Sequence, residues 1–179
     1  MPITRDELVT KLFAQWKQYM VTEGDDVIEI SLSSKNFTGP TADYFMTIIL
    51  KIEEDGRYLK VIAPGLYSLK SVNDRLIVAA LHKKLLQICW DTKLVQFEFD
   101  TEELEIRGIV EIAIEDGTLT GMQLQRAIQT LHEVVDHYHQ EITEIISGKS
   151  DAHVKARMQA KLESYSKVFN SRRDQLLRR

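Results

Sequence analysis

The side chains best suited to chemistry stand in one run, His132-Glu133-Val134-Val135-Asp136-His137-Tyr138-His139. Imidazoles and carboxylates four positions apart lie one turn apart on a helix. His132 with Asp136, and Glu133 with His137, therefore have the reach to hold a metal ion from adjoining faces. A metal-dependent enzyme or sensor built on His132 and Asp136 is one reading of the chain. Neither pair brings a third ligand. The zinc-protease pattern places histidines four apart with a glutamate between them, and position 136 is an aspartate. Because Leu131, Val135 and Tyr138 claim the buried side of the same helix, the simpler expectation is a hydrated flank of helix-spaced His–acid pairs, with no metal and no cofactor.

The remaining reactive groups carry less. Cys89 is the only cysteine, which excludes an internal disulfide and an all-cysteine metal cage, and its apolar neighbours predict a small core residue. Ser68 follows Gly65 without the pattern of a nucleophile elbow, and the eight glycines are scattered through turns rather than gathered in a phosphate loop. No catalytic residue and no small-molecule substrate is indicated, so the expectation is a protein that is not an enzyme.

What must position these residues is a helix. From Leu119 to Ile146, Leu124, Ile128, Leu131, Val135, Tyr138, Ile142 and Ile145 recur in alternating steps of four and three, which places them along one side. Thr120 and Gln123 have capping-box spacing, and Leu119 with Leu124 that of a hydrophobic staple. Such a stripe needs an apolar floor, and five alternating stretches predict a sheet. Val27 to Leu32 places Ile28, Ile30 and Leu32 on one face, and Tyr44 to Glu53 does the same with Met46, Ile48, Leu50 and Ile52. Asp55-Gly56 turns into Tyr58 to Ala63, which Pro64-Gly65 is expected to end. Val95, Phe97 and Phe99 form a fourth inward row. Leu104, Ile106, Val110, Ile112 and Ile114 form a fifth, opposite Glu105, Arg107, Glu111 and Glu115. Ser33 to Asp43, with Gly39 and Pro40, reads as a loop long enough to be mobile.

Two further helices complete the body. Thr4 and Glu7 cap a first helix from about Arg5 to Met20, stapled by Ile3 and Leu8. A second, about Asn73 to Trp90, begins behind the pair Ser71 and Asp74. The fold class is thus α+β in the order α-β-β-β-α-β-β-α, an antiparallel sheet of about five strands with helices on one face. A further helix, about Asp151 to Leu177, follows Gly148.

Charge divides the chain at the same place. Residues 1–148 hold 14 Lys and Arg against 24 Asp and Glu, and residues 149–179 hold 9 against 3. We therefore expect one acidic α+β domain over 1–148 and a basic helical extension over 149–179. That extension has its own body, a second subunit or an anionic partner to dock on. A nucleic-acid-binding regulator using this tail is a further reading, although no recognition motif accompanies the basic residues. Residues Met1 to Leu12 carry Arg5, Asp6, Glu7 and Lys11 without an apolar run, so neither a secretory signal nor a membrane contact is expected, and the protein reads as cytoplasmic.

The order of elements resembles the type III secretion chaperone-like fold and, in detail, the bacterial family called YbjN-like or CesT-like. The resemblance spans about Thr4 to Ile146. It is carried by Leu50-Lys-Ile-Glu-Glu-Asp-Gly-Arg-Tyr-Leu-Lys-Val-Ile-Ala-Pro64 and by Phe97-Glu-Phe-Asp100 running through Leu104-Glu-Ile-Arg-Gly-Ile-Val-Glu-Ile112 into Leu119-Thr120. It implies a small acidic protein that dimerises and binds other polypeptides, many such proteins having no assigned role. The second helix fits that expectation. Ile77, Val78, Leu81, Leu85, Ile88 and Cys89 fill an arc suited to the sheet. On nearly the opposite side gather Leu76, Ala79, Leu86 and Trp90, with Lys83 the nearest charge. A helix apolar on two sides buries both, the second against the last helix of its own chain or against a second subunit. The dimer contact expected from the resemblance is Leu76, Ala79, Lys83, Leu86 and Trp90.

Overall fold

The computed structural model describes residues 2–15, 27–39 and 42–149. The last turns expected of the first helix, Trp16 to Met20, and the whole basic helix beyond Ser150 lie outside the described residues. Residues Met1–Ile146 form one compact unit.

Helix α1 (Arg5–Gln15) starts at the expected capping box. The Thr4 amide donates to Glu7 Oε2 at 3.2 Å and the Glu7 amide to Thr4 Oγ1 at 3.3 Å. Ile3 and Leu8, the staple pair, are both buried. Strands β1 (Val27–Ser33), β2 (Phe45–Glu53), β3 (Tyr58–Ser68), β4 (Gln96–Asp100) and β5 (Glu105–Ala113) form one antiparallel sheet in the order β1-β2-β3-β5-β4. Helices α2 (Arg75–Asp91) and α3 (Gly121–Ile146) complete the fold, and α3 packs against β3, β5, α1 and α2.

The inward rows are those of the alternating pattern. Ile28, Ile30, Met46, Ile48, Leu50, Leu59, Val61, Ile106 and Val110 are buried in the same core as Leu124, Ile128, Leu131 and Val135 of α3. Gly108 makes that packing close. A Cβ there would stand 2.9 Å from Leu131 Cδ1, so the helix settles on β5 only because the strand is bare at this point. The β2–β3 turn has a similar demand. Glu54, Asp55 and Gly56 all have positive φ, and Gly56 meets the chain entry, where the Ile3 amide donates to the Gly56 carbonyl at 2.8 Å. Four residues, Glu54 to Arg57, separate the paired Glu53 and Tyr58, so the turn is longer than an Asp-Gly hairpin alone.

Several expectations change. Pro64-Gly65 does not end β3. After a register shift between Ala63 and Tyr67 the strand resumes with Tyr67 opposite Ile106 and Ser68 opposite Glu105. A bulge accommodates the proline because the strand continues against β5 alone. Phe99 is 40% exposed rather than in the core, because β4 is the edge strand; the His82 ring stands 6.1 Å from its own. Leu104 is likewise exposed, lying in the turn before β5. Asp74 caps α2 alone, accepting from the Leu76 amide at 2.8 Å, without Ser71. Cys89 is half-buried rather than core.

The outer face of the sheet is also not uniformly wet. Ile109, on the outward parity of β5, is 1% exposed. Lys60 is in register with Glu111 and Glu98 with Arg107, so the Lys60–Glu98 ion pair at 3.3 Å crosses β5 above Ile109. The lysine stem and its bridge shelter the isoleucine.

Candidate functional site

Two constructions stand out from the scaffold: the outward side of α2, and a set of α3 side chains that hold a loop. On α2, Leu81, Leu85 and Ile88 are buried, which orients the helix. Lys84 fixes it further, pairing with Glu141 of α3 at 2.7 Å with its ammonium 5.0 Å from the centre of the Tyr138 ring. This orientation leaves Leu76, Ala79, Lys83, Leu86 and Trp90 exposed together. Trp90 is 89% exposed and Leu86 71%. Beside them, between α2 and β4, lies an open cleft of about 220 Å³ lined by His82, Leu85, Leu86, Phe97, Glu98, Phe99 and Ile106. Among the described residues no strand pairs with the outer edge of β4.

On α3, the expected capping box is present, with the Thr120 amide donating to Gln123 Oε1 at 2.9 Å and the Gln123 amide to Thr120 Oγ1 at 3.2 Å. The run from His132 to His139 is not a hydrated flank. Asp136 Oδ1 accepts the backbone N–H groups of Lys35, Asn36 and Phe37 at 3.0, 2.8 and 2.9 Å, and Oδ2 accepts from Asn36 Nδ2 at 3.2 Å. His132 Nε2 lies 2.9 Å from Ser34 Oγ, and the Thr38 amide donates to His139 Nε2 at 3.3 Å. The loop after β1, expected to be mobile, is thus pinned from Ser34 to Thr38, with Phe37 buried against the His139 ring at 5.0 Å. Glu133 and His137 are exposed. Among the described residues no group of three or more His, Cys, Asp or Glu is placed to hold a metal ion.

The electrostatics follow from this arrangement. Burial pushes the Asp136 carboxyl up, but the three backbone donors and the charge of His132 outweigh it and hold the group below the usual carboxylate range. Burial pushes His139 below its ordinary value, against a weaker pull from Asp136. Since Nε2 accepts from Thr38, the imidazole is neutral with its proton on Nδ1. That Nδ1 and the hydroxyl of Tyr67, whose ring stacks on His139 at 5.7 Å, are buried with no partner among the described residues. Burial and the Asp136 charge raise the Tyr67 pKa.

The signal for His139 was in the sequence. It stands four after Val135 and three before Ile142, in phase with the stripe, and Phe37 is a lone aromatic in an otherwise polar loop. No periodicity announces that Asp136 caps that loop.

No protein-family model and no curated protein matches the sequence. Among solved structures, YbjN from E. coli superposes with a TM-score of 0.52 at 12% identity, over 78% of this chain and 93% of its own. A chain of the ExsC–ExsE complex gives 0.49 at 13% identity over 78% and 96%, and a chain of the HopA1–SchA chaperone–effector complex gives 0.43 at 14% over 78% and 99%. The five-stranded antiparallel sheet with helices in the order α-β-β-β-α-β-β-α is the type III secretion chaperone-like fold, which this chain shares with YbjN.

Proposed function

We propose that this protein is a non-enzymatic, chaperone-like or regulatory binding module that works as a homodimer and holds another polypeptide. The observation that carries the reading is the outward face of α2. Trp90 and Leu86 are exposed on a helix whose other side is already buried, and Leu86 lines a largely apolar cleft. Large exposed apolar side chains grouped on a rigid helix mark a protein contact. A twofold axis near Ala79 brings two such helices close, with Trp90 as anchor and Lys83 at the rim.

Assignment outside enzymology rests on the use already made of the reactive side chains. The Asp136 carboxylate and the Nε2 atoms of His132 and His139 are engaged by the Ser34–Thr38 loop. No helix among the described residues is long and apolar enough to cross a membrane, and we read the module as cytoplasmic. We further read residues 1–148 as the folding unit and 149–179 as a basic extension to it.

Light scattering tests the dimer. The parent should be a dimer, and Leu86→Glu with Trp90→Ala a folded monomer. A monomeric parent, or a double variant that stays dimeric, overturns the assignment. Affinity capture from the native cell, run with and without nuclease treatment, tests the partner. A polypeptide in stoichiometric yield is expected, and recovery of nucleic acid alone would select the basic tail instead.

A further inference from the structure

The sheet is split at one end, and the cause is local. Pairing between β2 and β3 stops at Ile49 opposite Ile62. Continuing that register would set Thr47 against Pro64, which has no N–H to give. From there β2 runs on with β1 as far as Ser33 opposite Phe45, while β3 bulges and follows β5. Between the diverging strands lies an open cleft of about 380 Å³.

Its lining is chemically one-sided. Phe37, Phe45, Met46 and Leu66 supply apolar walls, and the charged residues that line it are Asp43 and Glu105, both acidic. Glu105 Oε1 accepts the Gly65 amide at 3.3 Å, which aims the carboxylate at the bulge. The wall formed by Phe37 is the one that Asp136 and His139 pin from α3, so the cleft keeps its shape without a ligand.

We propose that this cleft receives a basic side chain, arginine or lysine, presented by a partner polypeptide. The aliphatic stem of such a side chain lies along the apolar walls, and its cation reaches the exposed Phe45 ring and the Glu105 carboxylate. Two features select a polypeptide over a free small cation. Phe45, 55% exposed, stands at the rim, where residues flanking the basic one find apolar contact. The body, with 14 cationic against 24 anionic side chains over residues 1–148, draws basic segments toward it. The inference rests on the polypeptide-binding reading above, and it adds a site between β2 and β3 that shares no lining residue with the cleft beside α2.

The test uses the full chain and a fluorescently labelled short peptide with one arginine between apolar residues, compared with the same peptide carrying neutral citrulline. By anisotropy the arginine peptide should bind about tenfold tighter, with the gap narrowing as salt rises. Glu105→Gln keeps an acceptor for the Gly65 amide and removes only the charge, and it should weaken the arginine peptide about tenfold. Equal affinity for the two peptides, or no effect of Glu105→Gln, overturns the cleft. Competition by arginine amide as effective as by the peptide overturns the polypeptide occupant. Failure here leaves stoichiometric capture of a polypeptide standing, whereas failure of that capture removes the wider reading while the titration still decides the cleft.

Discussion

Replacing Asp136 by asparagine removes a charge and turns one of its two acceptor oxygens into a donor. The remaining oxygen can still face the amides of Lys35, Asn36 and Phe37, but the new NH₂ meets Asn36 Nδ2, donor against donor, where a 3.2 Å hydrogen bond stood. Hydrogen bonds to a charged group contribute about 1.5–3 kcal/mol and neutral ones about 0.5–1.5, and Lys35 and Asn36 are exposed enough for water to replace part of the loss, so Asp136→Asn should cost about 2 kcal/mol. Its pH dependence has a definite sign. The folded carboxyl titrates below its ordinary value of 3.8. The stabilisation is therefore fully present above that value and is lost as pH falls through the lower, folded one. Denaturant unfolding of the two proteins should differ by a constant amount at neutral pH, and the difference should close in acid. Hydrogen exchange gives the local readout, since the amides of Lys35, Asn36 and Phe37 should lose protection while the α3 amides keep theirs. Unchanged protection at those three amides, or a stability gap that persists in acid, would refute the clamp.

Val110 is buried beneath α3, so Val110→Asp sets an unpaired carboxylate in the core at a cost on the order of 3–5 kcal/mol, and circular dichroism should show no cooperative melt. A melt within a few degrees of the parent would count against that core. Truncation after Gly148 should leave a soluble chain with a single cooperative unfolding transition, and an insoluble or molten product would show that the extension completes the body.

Local rules made much of this fold legible. The capping boxes at Thr4 and Thr120 formed as spaced, and the inward rows of β1, β2 and β5 follow parity, because helix ends and pleats are decided by neighbours a few residues away. Pro64-Gly65 misled for the same reason. The pair is a turn signal locally, and only β5, some forty residues on, supplies the partner that carries the strand through a bulge. Phe99 alternates correctly and is still exposed, since parity says which way a side chain points and not whether the sheet extends past it. The face of α2 was legible as apolar, but its occupant was not, because a sequence records that a surface is unsatisfied without recording what satisfies it.

The clamp shows the limit most clearly, and also why it bears on function. Its bonds join positions about a hundred residues apart, so no window contains both ends. Yet each end carries a local anomaly: a histidine in phase with an apolar stripe, and a phenylalanine in a polar loop. A histidine 7% exposed, with one nitrogen unpaired among the described residues, is costly to keep in a core that leucine would fill at no such cost. What the imidazole does there that leucine cannot is accept the Thr38 amide while offering its ring to Phe37. The loop so held forms one wall of the cleft between β2 and β3. The polar cost inside the body is thus matched to the shape of a surface, as expected where rigidity serves binding rather than folding alone.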